Sequence, residues 1–349
     1  MNHTGFFAAI KAGKLADVYL MEGTEEYIKQ QALARLCEKL LPKGLEQMNL
    51  TELDNPDADA LIAAAETLPL LGEKRVVVVR GCDLLISGRK QENENKVAEV
   101  FDYLGHISPS TCLIFYVKGN GDGRKKLYAH LKKKNAIVDF SPMNDGECIT
   151  WVQRTLRAMD KQISKETAAA LVFTVGRDAA MLKLEMDKLF HYMGERVQVT
   201  AADIEAVCTK SMECTVFQMV DAQVAGKQEE SFRLLSDMEH SGEDRVGILA
   251  MLLRQYRILY HMRCLLGEEV PHQEHAALLG IPPFTVARTQ QQSKRYSAES
   301  LRQAYEALLQ MEYGIKTGQI PQEGCAQAAL LQLGQILDAG SGAAFPEGA

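Results

Sequence analysis

Val76-Val-Val-Val79, set between Arg75 and Arg80, decides the fold class. Four β-branched residues in a row suit a strand covered on both faces, which is the pattern of a parallel sheet. Cys112-Leu-Ile-Phe-Tyr-Val117 repeats the pattern downstream, and Ala136-Ile-Val-Asp-Phe140 closes the series. Upstream, Asp17-Val-Tyr-Leu-Met21 reads as a first strand and Met48-Asn-Leu-Thr-Glu52 as a second. Helical spacing lies between them. Residues 24–41 carry Ile28, Leu33, Leu36 and Leu40 on one stripe, and residues 57–68 carry Leu61, Ile62, Ala65 and Leu68. Five short strands alternating with helices predict a parallel five-stranded α/β domain over residues 1–142.

After Pro142 the texture becomes helical, with almost no strand signal. Asp178 is placed as an N-cap ahead of Met181, Leu182, Leu184, Glu185 and Leu189, and Thr200 opens a helix over 200–209. These segments predict a small helical domain over 143–211. A second helical block follows over 212–338. Its long helix, about 245–266, bears Val246, Leu249, Leu252, Leu253, Tyr256, Leu259 and Tyr260 on an arc wide enough for a central position. Ile281-Pro-Pro283 breaks the chain, and residues 297–317 align Leu301, Ala304, Tyr305, Leu308, Met311 and Ile315. Residues 339–349, rich in Gly and Ala, read as a disordered tail.

The chain has 349 residues, 46% hydrophobic and 24% charged, which is enough for two or three domains with their own cores. Its net charge of -7 argues against DNA binding through overall charge. The eight cysteines form no CxxC pair, so they read as buried, reduced thiols, and no metal is expected. Lys11 and Lys14 interrupt the short apolar N-terminal stretch. Arg254, Arg257 and Arg263 follow the longest apolar run, Val246 to Leu253. Neither a signal peptide nor a membrane span is expected, and the reading is cytoplasmic.

A parallel α/β domain followed by a small helical bundle resembles the outline of an AAA+ module. Such modules hold ATP with a glycine-rich turn and a Gly-Lys-Ser/Thr end, because backbone N–H groups and the lysine must surround the phosphates. Here the turn after the first strand is Met21-Glu-Gly-Thr-Glu-Glu26, with one glycine, no lysine and three carboxylates that would repel a triphosphate. Gly13-Lys14 and Gly226-Lys227 neither follow a strand nor precede Ser or Thr. The strand ending at Val79 runs into Arg80-Gly81-Cys82-Asp83 rather than the acidic pair that would hold Mg²⁺. The expectation is nucleotide-binding architecture without its chemistry, with no catalytic residue and no cofactor. His272 and His275 read as a solvated helix start rather than a metal site.

Thr67-Leu-Pro-Leu-Leu-Gly-Glu-Lys-Arg75 fits neither flanking pattern. Leu68 is read as completing the apolar face of the helix before it, which Pro69 then ends. Leu70 and Leu71 fall in a short connection, where two large adjacent aliphatics cannot both point inward. Either they cap the end of the sheet or they are exposed and fill a pocket on a partner, with Glu73, Lys74 and Arg75 as a polar rim.

Several segments, in order, resemble the DNA polymerase III delta subunit family, the non-ATPase AAA+-like subunits of bacterial clamp loaders. They are Tyr19-Leu-Met-Glu-Gly23-Thr-Glu25, the run from Leu68 to Val79, and Arg124-Lys-Lys-Leu127. Gly176, Asp178, Leu182, Glu185, Lys188 and Leu189 follow, and then Leu279-Gly-Ile-Pro-Pro-Phe284. The resemblance implies an AAA+-like core, a helical lid and a helical collar that holds a heteropentamer together. It also implies partnership with delta-prime and ATP-hydrolysing gamma or tau subunits, with the beta sliding clamp, and with primer–template DNA inside the assembled loader. It places the clamp-inserting hydrophobic pair on Leu70 and Leu71; many relatives carry a bulkier aromatic at the second position. Activity would belong to the polymerase holoenzyme, a nucleotidyltransferase, and not to this chain.

Lys118 to Lys134 holds seven Lys/Arg against one Asp. Read as a helix, this is a solvated face, and Arg124, Lys125 and Lys126 are candidates for contact with DNA or a partner. Two other readings stay open at this level. One is an AAA+-type ATPase with an unorthodox nucleotide site. The other is a DNA-binding regulator whose C-terminal helices form a helix-turn-helix, although these helices offer no clearly basic recognition face.

Overall fold

The structure, a computed structural model, describes residues 1–86, 94–268, 270–272 and 274–341. The chain divides into two compact units. The first holds residues 1–144 with 178–180, and the second holds the remainder.

The first unit runs α1 (His3–Ala12), β1 (Val18–Glu22), α2 (Glu26–Leu40), α3 (Glu46–Asn49), β2 (Leu50–Asp54), α4 (Ala58–Glu66), β3 (Arg75–Arg80), α5 (Glu94–Gly105), β4 (Thr111–Tyr116), α6 (Lys126–Lys133) and β5 (Ile137–Asp139). The five strands form one parallel sheet in the order β2-β3-β4-β1-β5. The three inner strands carry the core. Every residue of β1 and β4 is buried, as are Val76 to Val79 of β3, which accounts for the unbroken apolar runs. The outer strands β2 and β5 are only partly covered, and there the sequence pattern is weaker. The parallel five-stranded α/β architecture is therefore as the sequence predicts.

Helix α1 has no counterpart among the sequence expectations. Asn2 caps it by accepting from the Gly5 N–H, and Phe6 packs edge-on against Tyr19 and Phe140. Helix α4 begins at the Asp57 cap but stops at Glu66, because Thr67 is already extended.

The second unit is helical, as expected. It runs α7 (Asp145–Arg157), β6 (Gln162–Ile163), α8 (Lys165–Val175), α9 (Ala179–Met193), β7 (Gln198–Val199) and α10 (Ala201–Val207). After these come α11 (Met212–Val224), α12 (Gln228–His240), α13 (Arg245–Leu265), α14 (His275–Leu279), α15 (Val286–Ser293), α16 (Ala298–Lys316) and α17 (Cys325–Ser341). The short parallel pair β6–β7 is an addition to the expected helices. Thr200 opens α10 with a reciprocal capping box to Asp203. Ile248, Leu249, Leu252, Tyr256 and Leu259 of α13 are fully buried against α11, α16 and α17, so this helix is central in its bundle as predicted. Helix α17 continues to Ser341, past the expected start of the tail at 339, and residues 342–349 lie outside the described residues. Among the described residues no helix is long and apolar enough to cross a membrane.

Candidate functional site

The connection from α4 to β3 is built from its two ends. At the α4 end, Thr67 Oγ1 donates to the Ala63 carbonyl and Thr111 Oγ1 to the Ala65 carbonyl, satisfying carbonyls that the helix end leaves open. Pro69 disfavours helix at residue 68, so the chain turns outward two residues earlier than its apolar spacing suggests. Leu68 is consequently 76% exposed, which corrects the expectation that it completes the buried face of α4. At the β3 end, the Arg75 N–H donates to the Ser110 carbonyl and its guanidinium to Thr51 Oγ1, while Lys74 pairs with Asp17 at 2.9 Å. Of the expected rim, Glu73 is exposed and Lys74 and Arg75 are half-buried.

Between those anchors Leu70 is 49% and Leu71 81% exposed. Of the two readings left open by the sequence, exposure describes them better than capping of the sheet. The loop is nonetheless held. Buried Asn49 accepts from the Leu70 N–H at 2.6 Å and donates to the Leu70 carbonyl at 3.0 Å and to the Leu45 carbonyl at 3.1 Å. Leu71 takes a left-handed backbone with φ of 51°. Gly72 approaches Pro42 so closely that an added Cβ would lie 3.0 Å from the ring.

The turn between β1 and α2, where an AAA+ module would cradle phosphate, is filled by the chain itself. Gly23 has φ of 111°, and a Cβ there would fall 2.2 Å from the Phe140 carbonyl carbon. Lys29 on α2 is fully buried. Its Nζ donates to the carbonyls of Gly23 at 2.7 Å and Val117 at 2.9 Å and to Glu26 at 2.6 Å, and it lies over the Tyr116 ring. All three of its donors are spent inside the fold. Glu22, also buried, accepts from the Gly121 N–H and the Tyr128 hydroxyl. Burial tends to raise the Glu26 carboxyl, but hydrogen bonds from Lys29 and Tyr116 outweigh it and hold its pKa below the ordinary value. Burial, and then the nearby Asp178 and Glu26, raise that of Glu25. At the end of β3, Arg80 is engaged with Glu52 and stacks on Tyr116, and Asp83 pairs with Asn55. The groups that line this turn are thus committed to one another rather than to a phosphate.

Against this geometry, the comparisons with known proteins are specific. A family model described as DNA polymerase III, delta subunit, matches residues 19–141. A second, for the C-terminal domain of the DNA polymerase III delta subunit, matches residues 213–333. The DNA polymerase III subunit delta of Bacillus subtilis (strain 168) is 27% identical over 329 residues, covering 93% of this chain and 95% of that protein. A solved structure of the Bacillus subtilis DNA clamp loader delta protein matches with a TM-score of 0.57 at 26% identity, over 95% of this chain and 99% of that one. The chain belongs to the DNA polymerase III delta subunit family.

The first family match contains both the Leu70–Leu71 loop and the closed β1–α2 turn. The basic candidates of this delta-family chain are arranged differently from expectation. Helix α6 begins only at Lys126, so Arg124 and Lys125 lie in the turn before it; Asp122 at the head of that turn accepts from the Arg124 N–H. Arg124 is 85% exposed but holds Asp122 at 2.9 Å, and Lys126 is exposed. His275 is buried, and Gln290 reaches both His272 Nδ1 and His275 Nδ1; this corrects the expectation of a solvated helix start for His275, while His272 is exposed. Among the described residues no three potential ligands gather for a metal ion. All eight cysteines are free and six are buried, Cys37 and Cys264 being partly covered. Sequence reasoning missed Asn49 and Lys29, whose polar side chains carry no periodic signal. Asn49, immediately before β2, is legible only once its distance to Leu70 is known.

Proposed function

We propose that this chain is the clamp-loader delta subunit that binds and opens the beta sliding clamp, so that the loader can place it on primed DNA during replication. The observation that carries the reading is a pair of exposed adjacent leucines on a loop whose backbone is held from beneath. A full leucine burial contributes about 1.5–3 kcal/mol. Leu71 retains most of that and Leu70 about half, so together they supply roughly 2–4 kcal/mol on entering an apolar pocket. A clamp conformation with a strained or opened interface that accepts the pair better is favoured by that difference in affinity, and a population shift requires nothing more.

The chain does this without hydrolysing ATP, since its phosphate site is occupied by Lys29 and ringed by carboxylates. Gamma or tau subunits supply the hydrolysis, with delta-prime as a further partner, within the cytoplasmic holoenzyme. On this reading residues 143–211 act as the lid, and 212–338 as the collar that holds the pentamer. Arg124, Lys125 and Lys126 face primer–template DNA or a partner in the assembled loader.

The test is size-exclusion chromatography with the cognate beta clamp, without nucleotide, for wild type and Leu70→Ala/Leu71→Ala. Wild type should co-elute with the clamp and the double variant should not, while both assemble with the other loader subunits. Co-elution of the double variant would remove the leucine pair from the clamp contact, and measurable ATP binding by the isolated chain would revive the ATPase reading.

A further inference from the structure

Leu71 is a β-carbon-bearing residue in left-handed backbone, a conformation that L-residues other than Gly, Asn and Asp seldom adopt. An exposed side chain cannot hold its own backbone there, so the restraint must come from the neighbours. Asn49 supplies it. Its amide closes a two-bond ring with the Leu70 peptide groups, one bond donated and one accepted, and a third bond ties the same amide to Leu45. The Asn49 side chain is itself fully buried, and its partner Leu70 is half-exposed. Asn49 ends α3 immediately before β2, and β2 pairs with β3 from Leu50 and Val76 onward. The loop is thus referenced to the sheet on both sides, through Asn49 at Leu70 and through Arg75 at the start of β3.

We infer that Asn49 is a positioning residue for clamp recognition, holding the Leu70–Leu71 turn in the outward-facing conformation before the clamp arrives. The inference rests on the clamp-binding reading above. A loop that must find its binding conformation after losing the Asn49 bonds binds with an affinity reduced by the fraction of time it is competent, and the deficit falls on association. Truncating a contact side chain such as Leu71 acts instead on dissociation.

The experiment measures association and dissociation rates of the full-length chain on immobilised beta clamp. Wild type, Asn49→Ala, Leu71→Ala, the Asn49→Ala/Leu71→Ala double variant and Leu70→Ala/Leu71→Ala are compared. Leu131→Ala, buried in α6 away from the loop, controls for general loss of stability. Asn49→Ala should slow association about tenfold, equivalent to about 1.4 kcal/mol, with dissociation changed by less than about twofold. Leu131→Ala should lower the melting temperature without slowing association. The effect of Asn49→Ala should shrink when Leu71 is already Ala, as for coupled residues. Wild-type association by Asn49→Ala, or equal slowing by Leu131→Ala, would overturn the positioning role and leave the leucine contact standing. Tight binding by Leu70→Ala/Leu71→Ala, or no binding by wild type, would instead remove the clamp-contact reading itself.

Discussion

Glu25 and Lys29 divide the cost of closing the β1–α2 turn unequally. Lys29 is fully buried yet fully bonded, so its burial is offset by two carbonyls and the Glu26 carboxylate. Glu25, at the same turn, is only half-covered, and burial together with Asp178 and Glu26 raises its pKa. A raised folded-state pKa means that the folded state holds this proton more tightly than the unfolded chain does. Below the ordinary value of 4.5 both states are protonated and no cost arises; stability is lost as pH rises from there through the raised value. Glu25→Gln, which keeps an acceptor for the Ala179 N–H but cannot ionise, should therefore raise the melting temperature at pH 7.5, by roughly 1 °C given the group's exposure. The gain should vanish by pH 4. A thermal-unfolding series across that range measures it, and an equal gain at both ends would show that the Glu25 charge plays no part. The same residue scale shows why the sequence argues against this turn as an ATP site, while Lys29 could not be foreseen as its occupant. Three carboxylates beside one glycine are visible in Met21 to Glu26. A lysine seven residues beyond the strand looks like any surface helix position until its Nζ is found between Gly23 and Val117.

Helix α13 shows what elements contribute beyond their apolar faces. Tyr256 is fully buried within it, and its hydroxyl donates to Gln223 of α11 at 2.9 Å. Gln223 in turn donates to the Leu330 carbonyl of α17 at 2.9 Å, so one buried chain of hydrogen bonds fastens three helices. Tyr256→Phe keeps the ring and strands the Gln223 oxygen, which should cost about 1–3 kcal/mol. Urea denaturation followed by circular dichroism should show a lower midpoint with unchanged native helix content. A midpoint equal to wild type would mean that water or a rearranged Gln223 replaces the bond. The helix itself was legible, because Val246 to Tyr260 follow a 3.6-residue period, and β3 and β4 were legible because four or more apolar residues follow one another. The outer strands were misplaced by one or two residues, since β2 and β5 are only partly covered and their apolar pattern is weak. Strands β6 and β7 are two residues each, shorter than any period can reveal. Leu68 misled because its spacing fits α4, whereas the backbone restriction before Pro69 ended the helix two residues sooner.

For the whole molecule, the distribution of charge governs how the chain meets DNA. The chain carries -7, so the segment from Lys118 to Lys134 is a cationic island on an acidic protein. Non-specific DNA affinity depends on phosphates neutralised and counterions released, and a net negative chain offers the polyanion little long-range attraction. The isolated chain should therefore bind primer–template DNA no more tightly than about 10⁻⁴ M at physiological salt. In the assembled loader the same island would be held near DNA by its neighbours, and its contribution becomes measurable. Arg124 is paired with Asp122 at the surface, so redirecting it to a phosphate breaks an ion pair of small worth. Arg124→Glu/Lys126→Glu should leave binding of the isolated chain to the clamp unchanged. It should weaken DNA binding by the assembled loader and lower the slope of log affinity against log salt by about one for each phosphate that is no longer neutralised. Fluorescence anisotropy of labelled primer–template across a salt series reads both quantities. An unchanged slope would assign the island to solvent or to a protein neighbour, and weaker clamp binding would place it at the clamp surface instead.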